Sequence, residues 1–204
     1  MKTLSTTPVI LLLAQAIIFS GNAFAQACNN KEVAQTISAK NFIFTDVVDN
    51  AGAPGSIAFD NSPTKLTWQR CVYGQKWNPA TQECIGSPVL LSWSQALIEA
   101  ERSTIDGTGW RLPNIKELNS ILDMQCINPP YNLEVFPDTF ASEDHGLWTS
   151  SPHVDTEPDP VNTQIKVYTN AWYIDLGVGI LSHRSTIGDG IDDIKTKNFA
   201  RFVR

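Results

Sequence analysis

Trp110-Arg111-Leu112-Pro113-Asn114-Ile115-Lys116-Glu117-Leu118 reads as an extended stretch that turns into a helix. Leu112 precedes a proline and so avoids the α region, which keeps the run from Trp110 extended. Asn114 then caps a helix, and Glu117, three residues on, completes a capping box. Ile115, Leu118, Ile121 and Leu122 give that helix its apolar face, and Asn128-Pro129-Pro130 ends it. A first helix lies upstream. Ser92 caps it with Gln95 as the reciprocal partner, and Trp93, Ala96, Leu97 and Ala100 recur on one stripe. Gly107 and Gly109 stop any continuation.

Strand signals surround the two helices. Asn41–Val48 is a strand, followed by a turn at Asn50–Gly55, whose glycines and proline preset a bend. Ile57–Phe59 and Leu66–Trp68 are the next strands, separated by Asp60-Asn61-Ser62-Pro63. Further on come Leu147–Thr149, Thr163–Tyr168, and Ala171–Leu176 with Trp172, Ile174 and Leu176 on one face. Gly177-Val178-Gly179 makes a hairpin turn into Ile180-Leu181, and Phe199–Val203 is a closing strand. Trp68, Trp110, Trp148 and Trp172 read as core anchors. The expectation is an α+β domain, two helices packed on short antiparallel strands with long loops.

Length and composition agree with a single folded domain: 204 residues, 42% apolar and 18% charged. A net charge of −6 argues against a general nucleic-acid binder. Residues 1–25 read as a secretory signal peptide: Lys2, an apolar stretch from Val9 to Phe19, then the small-residue site Ala23-Phe24-Ala25. The competing reading is an uncleaved anchor helix. No later segment is apolar enough to span a membrane, so the expectation is an exported chain, periplasmic, cell-surface or secreted, with no membrane span after cleavage.

Export makes the four cysteines candidates for disulfides. They allow three pairings. Cys71–Cys84 is favoured because the loop between them, with Trp77, Asn78 and Pro79, closes easily. Cys28–Cys126 then ties the N-terminus to the end of the second helix. Zinc is the rival reading, disfavoured by the absence of short Cys–Cys spacing.

An ordered series of motifs resembles the C-terminal domain of the Legionella collagen-like adhesin, a bacterial domain family of unknown function. Leu66-Thr67-Trp68-Gln69-Arg70-Cys71, Gly74-Gln75-Lys76-Trp77 through Cys84, Trp93 with Ala96, and Trp110–Pro113 with Glu117-Leu118 match in order. Phe136-Pro137, Leu147–Ser151, Ala171-Trp172 and Phe199–Arg204 complete the set. The resemblance covers residues 57–204, leaving 26–56 as an N-terminal lead-in with one strand. It implies a C-type-lectin-like fold, stapled by disulfides, and a recognition function; sulfated-glycan binding and attachment are the adhesin's. The collagen-like stalk is missing here, so trimeric display does not carry over.

The functional expectation is therefore a non-catalytic module that binds a glycan or surface polymer, with no cofactor and no nucleic acid. The alternative is an accessory subunit of a pilus or other surface assembly, with a protein partner. Nucleophile-elbow, zincin and P-loop motifs are all missing from the sequence. Glu157, Asp159 and Asp175 are weighed as calcium ligands, but a solvated acidic loop is the better reading. Asp189, Asp192 and Asp193 lack EF-hand spacing. Arg111 is read as bridging a carboxylate or backbone carbonyls between the helices. For a sulfated ligand, the candidate patch is Arg184, Lys195 and Lys197, in a C-terminal segment that also holds His183, Arg201 and Arg204. The arginines at 201 and 204 are alternatively engaged by nearby carboxylates.

Overall fold

The computed structural model describes residues 39–123, 126, 129–138, 145–158, 165–186 and 196–204, with only the backbone described at 155–158 and 165–168. The proposed signal peptide lies outside the described residues. After a short 3-10 turn at Ala39–Asn41, β1 (Phe42–Val48), β2 (Pro54–Asp60) and β3 (Thr67–Gln69) form an antiparallel sheet in that order. A small hairpin follows, β4 (Lys76–Asn78) and β5 (Glu83–Ile85). Two helices come next, α1 (Trp93–Arg102) and α2 (Ile115–Asn119). The last sheet, in the order β6-β7-β8, is made by β6 (Gly146–Pro158), β7 (Ile165–Asp175) and β8 (Leu181–Ser185).

The expected α+β, C-type-lectin-like arrangement is corrected here. The described residues are mostly β, in three small antiparallel sheets, with one helix of 10 residues and one of 5. Both predicted capping boxes form. Gln95 N–H donates to Ser92 Oγ and Ser92 N–H to Gln95 Oε1, while the amides of Lys116 and Glu117 donate to Asn114 Oδ1 and Asn114 N–H to Glu117 Oε2. The second helix nevertheless stops at Asn119. Ile121 and Leu122 are buried as expected, but through a turn: Leu122 bridges Tyr131, and Asp123 N–H donates to the Pro130 carbonyl at 2.8 Å. That pairing claims backbone groups a longer helix would have used.

The strands, by contrast, exceed the reading. The described part of the expected Thr163–Tyr168 strand, from Ile165, and Ala171–Asp175 belong to one continuous β7, Thr163 lying outside the described residues, and β6 extends far beyond Thr149. An irregularity in the register between Trp148 and Pro152 interrupts their ladder. It frees Thr149–Ser151 to serve the helices. Thr149 O accepts from the Trp93 indole at 2.7 Å, Ser150 N–H donates to Pro113 O at 2.8 Å, and Ser151 Oγ accepts from Ile115 N–H at 3.1 Å. At the start of β6 no side chain fits. A Cβ on Gly146 would lie 2.0 Å from the Ile174 carbonyl oxygen.

The C-terminal segment is not the expected strand. Asn198 pairs with Leu91, Phe199 with Leu147, and Val203 with both Trp68 and Arg111, as isolated bridges. Tyr73 N–H donates to Ala200 O and Gln69 N–H to Phe202 O. One short stretch thus joins the first sheet, the last sheet and the approaches to both helices. Packing follows from this: Trp68, Leu118, Phe136, Leu147 and Val203 share one core cluster, and Ala96, Ala100, Trp110, Trp148 and Phe202 another. Trp172 departs from its three companions, lying half-buried on the last sheet between His153 and His183, with ring centroids 4.4 and 5.6 Å away.

Arg111 holds Glu117 through both carboxylate oxygens, each at 2.7 Å, as the bridging reading expects. Burial alone would raise the Glu117 carboxyl. Hydrogen bonds from Arg111 and the Asn114 amide prevail and hold it below its ordinary value. A carboxyl depressed in the folded state stabilises fully above its unfolded value, and that stabilisation is lost as pH falls through the folded one. Wild type should therefore exceed Glu117→Gln by about 0.5 kcal/mol at neutral pH, the scale of a partly exposed pair. Urea unfolding across pH should show that gap closing in acid; a gap independent of pH contradicts the pairing.

Candidate functional site

A cleft of about 260 Å³ opens between the start of β2, the end of β3, the loop from Cys71 to Trp77 and the C-terminal end of α1. Four separate pieces of chain build it, and each is held for a local reason. The loop is closed by the Cys71–Cys84 disulfide, with Cα atoms 5.4 Å apart, which makes the β4–β5 hairpin its arm. Gly74 sits at φ +96°, and a Cβ there would lie 2.7 Å from Val89 N. Only glycine both adopts that backbone angle and lets the loop lie against Val89. The opposite wall is the end of α1 and its cap, where Ser103 Oγ accepts from Gln69 Nε2 at 2.6 Å. Phe202, on the C-terminal segment, forms part of the lining and stacks at 6.0 Å on Tyr73.

The polar groups of the cleft fall into two sets. One is internally paired: Tyr73 OH donates to Glu99 Oε2 at 2.9 Å, and Arg102 Nη1 donates to Glu99 Oε1 at 2.9 Å. Burial and then the bond to Glu99 push the Tyr73 phenol up from its ordinary value. The other set is not paired within the protein. The Trp77 indole N–H and the Gln75 side-chain oxygen are both buried without a hydrogen-bond partner. Gln75 Nε2 donates to the Gly86 carbonyl at 3.3 Å, which fixes which end of the amide is left over. Trp77 is only 3% exposed, with the Arg70 guanidinium 4.6 Å from its ring centre. Arg70 in turn lies 4.4 Å from the Phe44 ring and donates to the carbonyls of Glu134 and Val135.

The residues singled out in the sequence lie elsewhere. Arg184 and Lys197 are brought together, since Arg184 Nη1 donates to the Lys197 carbonyl at 2.8 Å while its guanidinium stacks 4.8 Å from the Tyr173 ring. Lys195 lies outside the described residues. Arg201 is fully buried against Asp138, and Arg204 pairs with Asp106 while lying over Trp110. Removing those two arginines leaves three cations against three aspartates in the C-terminal segment. Of the calcium candidates, Asp159 is outside the described residues. Glu157 pairs in register with Lys166 and Asp175 with Gly146, at opposite ends of the β6–β7 ladder. Nine strand positions separate those ends on β7, roughly 30 Å at the usual rise. Asp175 Oδ1 is occupied by the turn amides of Gly177 and Val178. Cys28 lies outside the described residues; no cysteine among the described ones is free.

Sequence reasoning missed the cleft because its residues come from distant segments. Gly74-Gln75-Lys76-Trp77 was legible as a motif, yet its spacing carries no ligand chemistry by itself. The nearest signal was a tryptophan and a glutamine two apart inside a disulfide loop.

The chain belongs to the Lcl C-terminal domain family, whose model matches residues 58–204. No curated protein and no solved structure matches it. Among the described residues no helix is long and apolar enough to cross a membrane.

Because the cleft wall hangs on one bridge, Cys71→Ser with Cys84→Ser should cost about 3 kcal/mol in urea unfolding. A variant as stable as the parent contradicts a structural role for that bridge.

Proposed function

We propose that the chain is an exported, non-catalytic recognition module whose cleft beside the Cys71–Cys84 loop binds a glycan or surface polymer. The observation that carries this reading is one small cleft whose lining combines the aromatic side chains Tyr73, Trp77 and Phe202 with the polar side chains Gln69, Gln75 and Ser103. Small-molecule sites combine apolar walls with a few fixed polar groups in this way. Family membership supports a surface or secreted setting, and the disulfide suits an oxidising compartment.

The charges of the cleft favour a neutral ligand. Its lining includes the carboxylates Asp49 and Glu99, and its arginine, Arg102, is engaged by Glu99. A polyanion would meet those carboxylates without a free guanidinium to offset them.

A protein partner is the second reading, and β1 favours it. It is the edge of its sheet, and Ile43 and Val48 are 55% and 58% exposed. An exposed edge strand can accept an extended segment of another chain. A glycan array probed with the exported chain separates the two. The cleft reading expects selective signal on neutral oligosaccharides, weakened about tenfold by Tyr73→Ala, a loss of about 1.4 kcal/mol. Array silence together with capture of an extended peptide on β1 would favour the assembly subunit.

A further inference from the structure

We propose that the open edge of β1 docks an extended segment of another protein, one that carries a lysine or arginine. This rests on the protein-partner reading of β1 and supplies that partner's chemistry. Antiparallel ladders alternate, so every second residue of an edge strand aims its N–H and C=O away from its neighbour. Just beyond the two ends of the β1–β2 register, Asn61 N–H donates to Asn41 O and Asp49 N–H to Ala53 O. Odd-numbered residues of β1 therefore bond to β2, and Phe42, Phe44, Asp46 and Val48 aim outward. Val48 O bears this out by accepting from Asp106 N–H at 3.1 Å, which closes that end of the edge. Among the described residues, no backbone group reaches the outward amides and carbonyls of Phe44 and Asp46.

The charge beside that stretch decides which segment fits. Phe44, Asp46, Gln82 and Glu134 line a groove together with Arg70. Asp46 and Glu134 are exposed, whereas Arg70 is buried and donates to the carbonyls of Glu134 and Val135. A partner thus meets two accessible carboxylates and no accessible cation. A strand laid along β1 sets one side chain directly across from Asp46, with Cβ atoms roughly 5 Å apart. A hydroxyl there supplies a hydrogen bond, but a basic side chain supplies a charge-assisted one and offsets the carboxylates. Ile43 and Phe44 add exposed apolar surface on the two faces of the same strand. A second copy of this chain fits less well. β1 itself carries no cation, and Lys40 lies on the turn before it, so pairing β1 with β1 gathers Asp46 and Glu134 of both copies. The groove shares no lining residue with the cleft beside the disulfide, so the two surfaces can be occupied independently.

The test titrates the full exported chain with three β-forming peptides that differ at one position, bearing lysine, threonine or glutamate. Backbone amide signals and their exchange are the readout. The lysine peptide should bind about tenfold more tightly than the glutamate one, because opposite charges across a ladder attract and like charges repel. The threonine peptide should fall between them, and added salt should shrink the preference. Binding should slow exchange at Phe44 and Asp46, whose amides aim outward, and leave Ile43 and Thr45, already bonded to β2, little changed. Asp46→Asn with Glu134→Gln, both at exposed positions, should bring the three peptides within about twofold of one another. Thermal melts check that the variant is folded. Equal affinity for the lysine and glutamate peptides, or a preference surviving in the folded double variant, overturns the inference and leaves the protein-partner reading standing. Binding without protection of the Phe44 and Asp46 amides overturns docking on the edge. If no peptide binds, the inference and the edge reading fall together. A dimer in sedimentation, with those two amides already protected, gives the edge to a second copy and overturns the proposal.

Discussion

Arg201 is a fully buried guanidinium at the crossing point of the fold. Its Nη1 reaches the carbonyls of Gln69 and Arg70, and its Nη2 pairs with Asp138 Oδ2, which also accepts from Tyr131 OH at 2.5 Å. The guanidinium lies 4.3 Å from the Phe136 ring centre. Burial holds the Asp138 carboxyl above its ordinary value, against the opposing pull of Arg201. A charge buried this deeply is costly unless its partners are in place, so the pair fixes where the chain around it must run. It joins the end of β3, the loop at Phe136–Asp138 and the C-terminal segment. The neighbouring backbone bonds then follow, from Leu91 to Arg111.

The cleft inherits its shape from that junction. Gln69 and Tyr73 face it from backbone held by Phe202 and Ala200, and Phe202 itself lines it. Arg70, whose carbonyl is one of Arg201's two backbone partners, places its guanidinium 4.6 Å from the Trp77 ring centre. Arg201 and Arg70 therefore act as internal scaffolding for an aromatic wall. Among the lining residues, Gln75 Oε1 and Trp77 Nε1 are buried without a hydrogen-bond partner. A scaffold held in this way suits recognition, because preorganised groups lose little freedom on binding.

What was legible in the sequence was local. The two capping boxes depend on neighbours three residues apart, the β1 and β2 strands and the favoured disulfide join segments close in sequence, and the three fully buried tryptophans follow from residue type. Long-range features escaped. The second helix is short because Leu122 pairs with Tyr131, nine positions away, and no periodicity records that. Phe199–Val203 reads as a closing strand, but with Asn198 it meets four different segments, bridging Leu91, Leu147, Trp68 and Arg111. Its arginines illustrate the same limit. The alternative reading, that carboxylates engage Arg201 and Arg204, holds, but the carboxylates that do so, Asp138 and Asp106, lie close by only once the chain is folded. The cleft is the extreme case, because four segments contribute to it and none announces the others.

The central claim is that the buried Arg201 junction holds the fold together. Urea unfolding of Arg201→Met tests it most directly. The substitution keeps much of the side-chain volume but removes the cation beside the buried Asp138 and the donor to the two carbonyls, and a loss of about 3–5 kcal/mol is predicted. A variant within about 1 kcal/mol of the parent, with the same unfolding slope, would contradict the account.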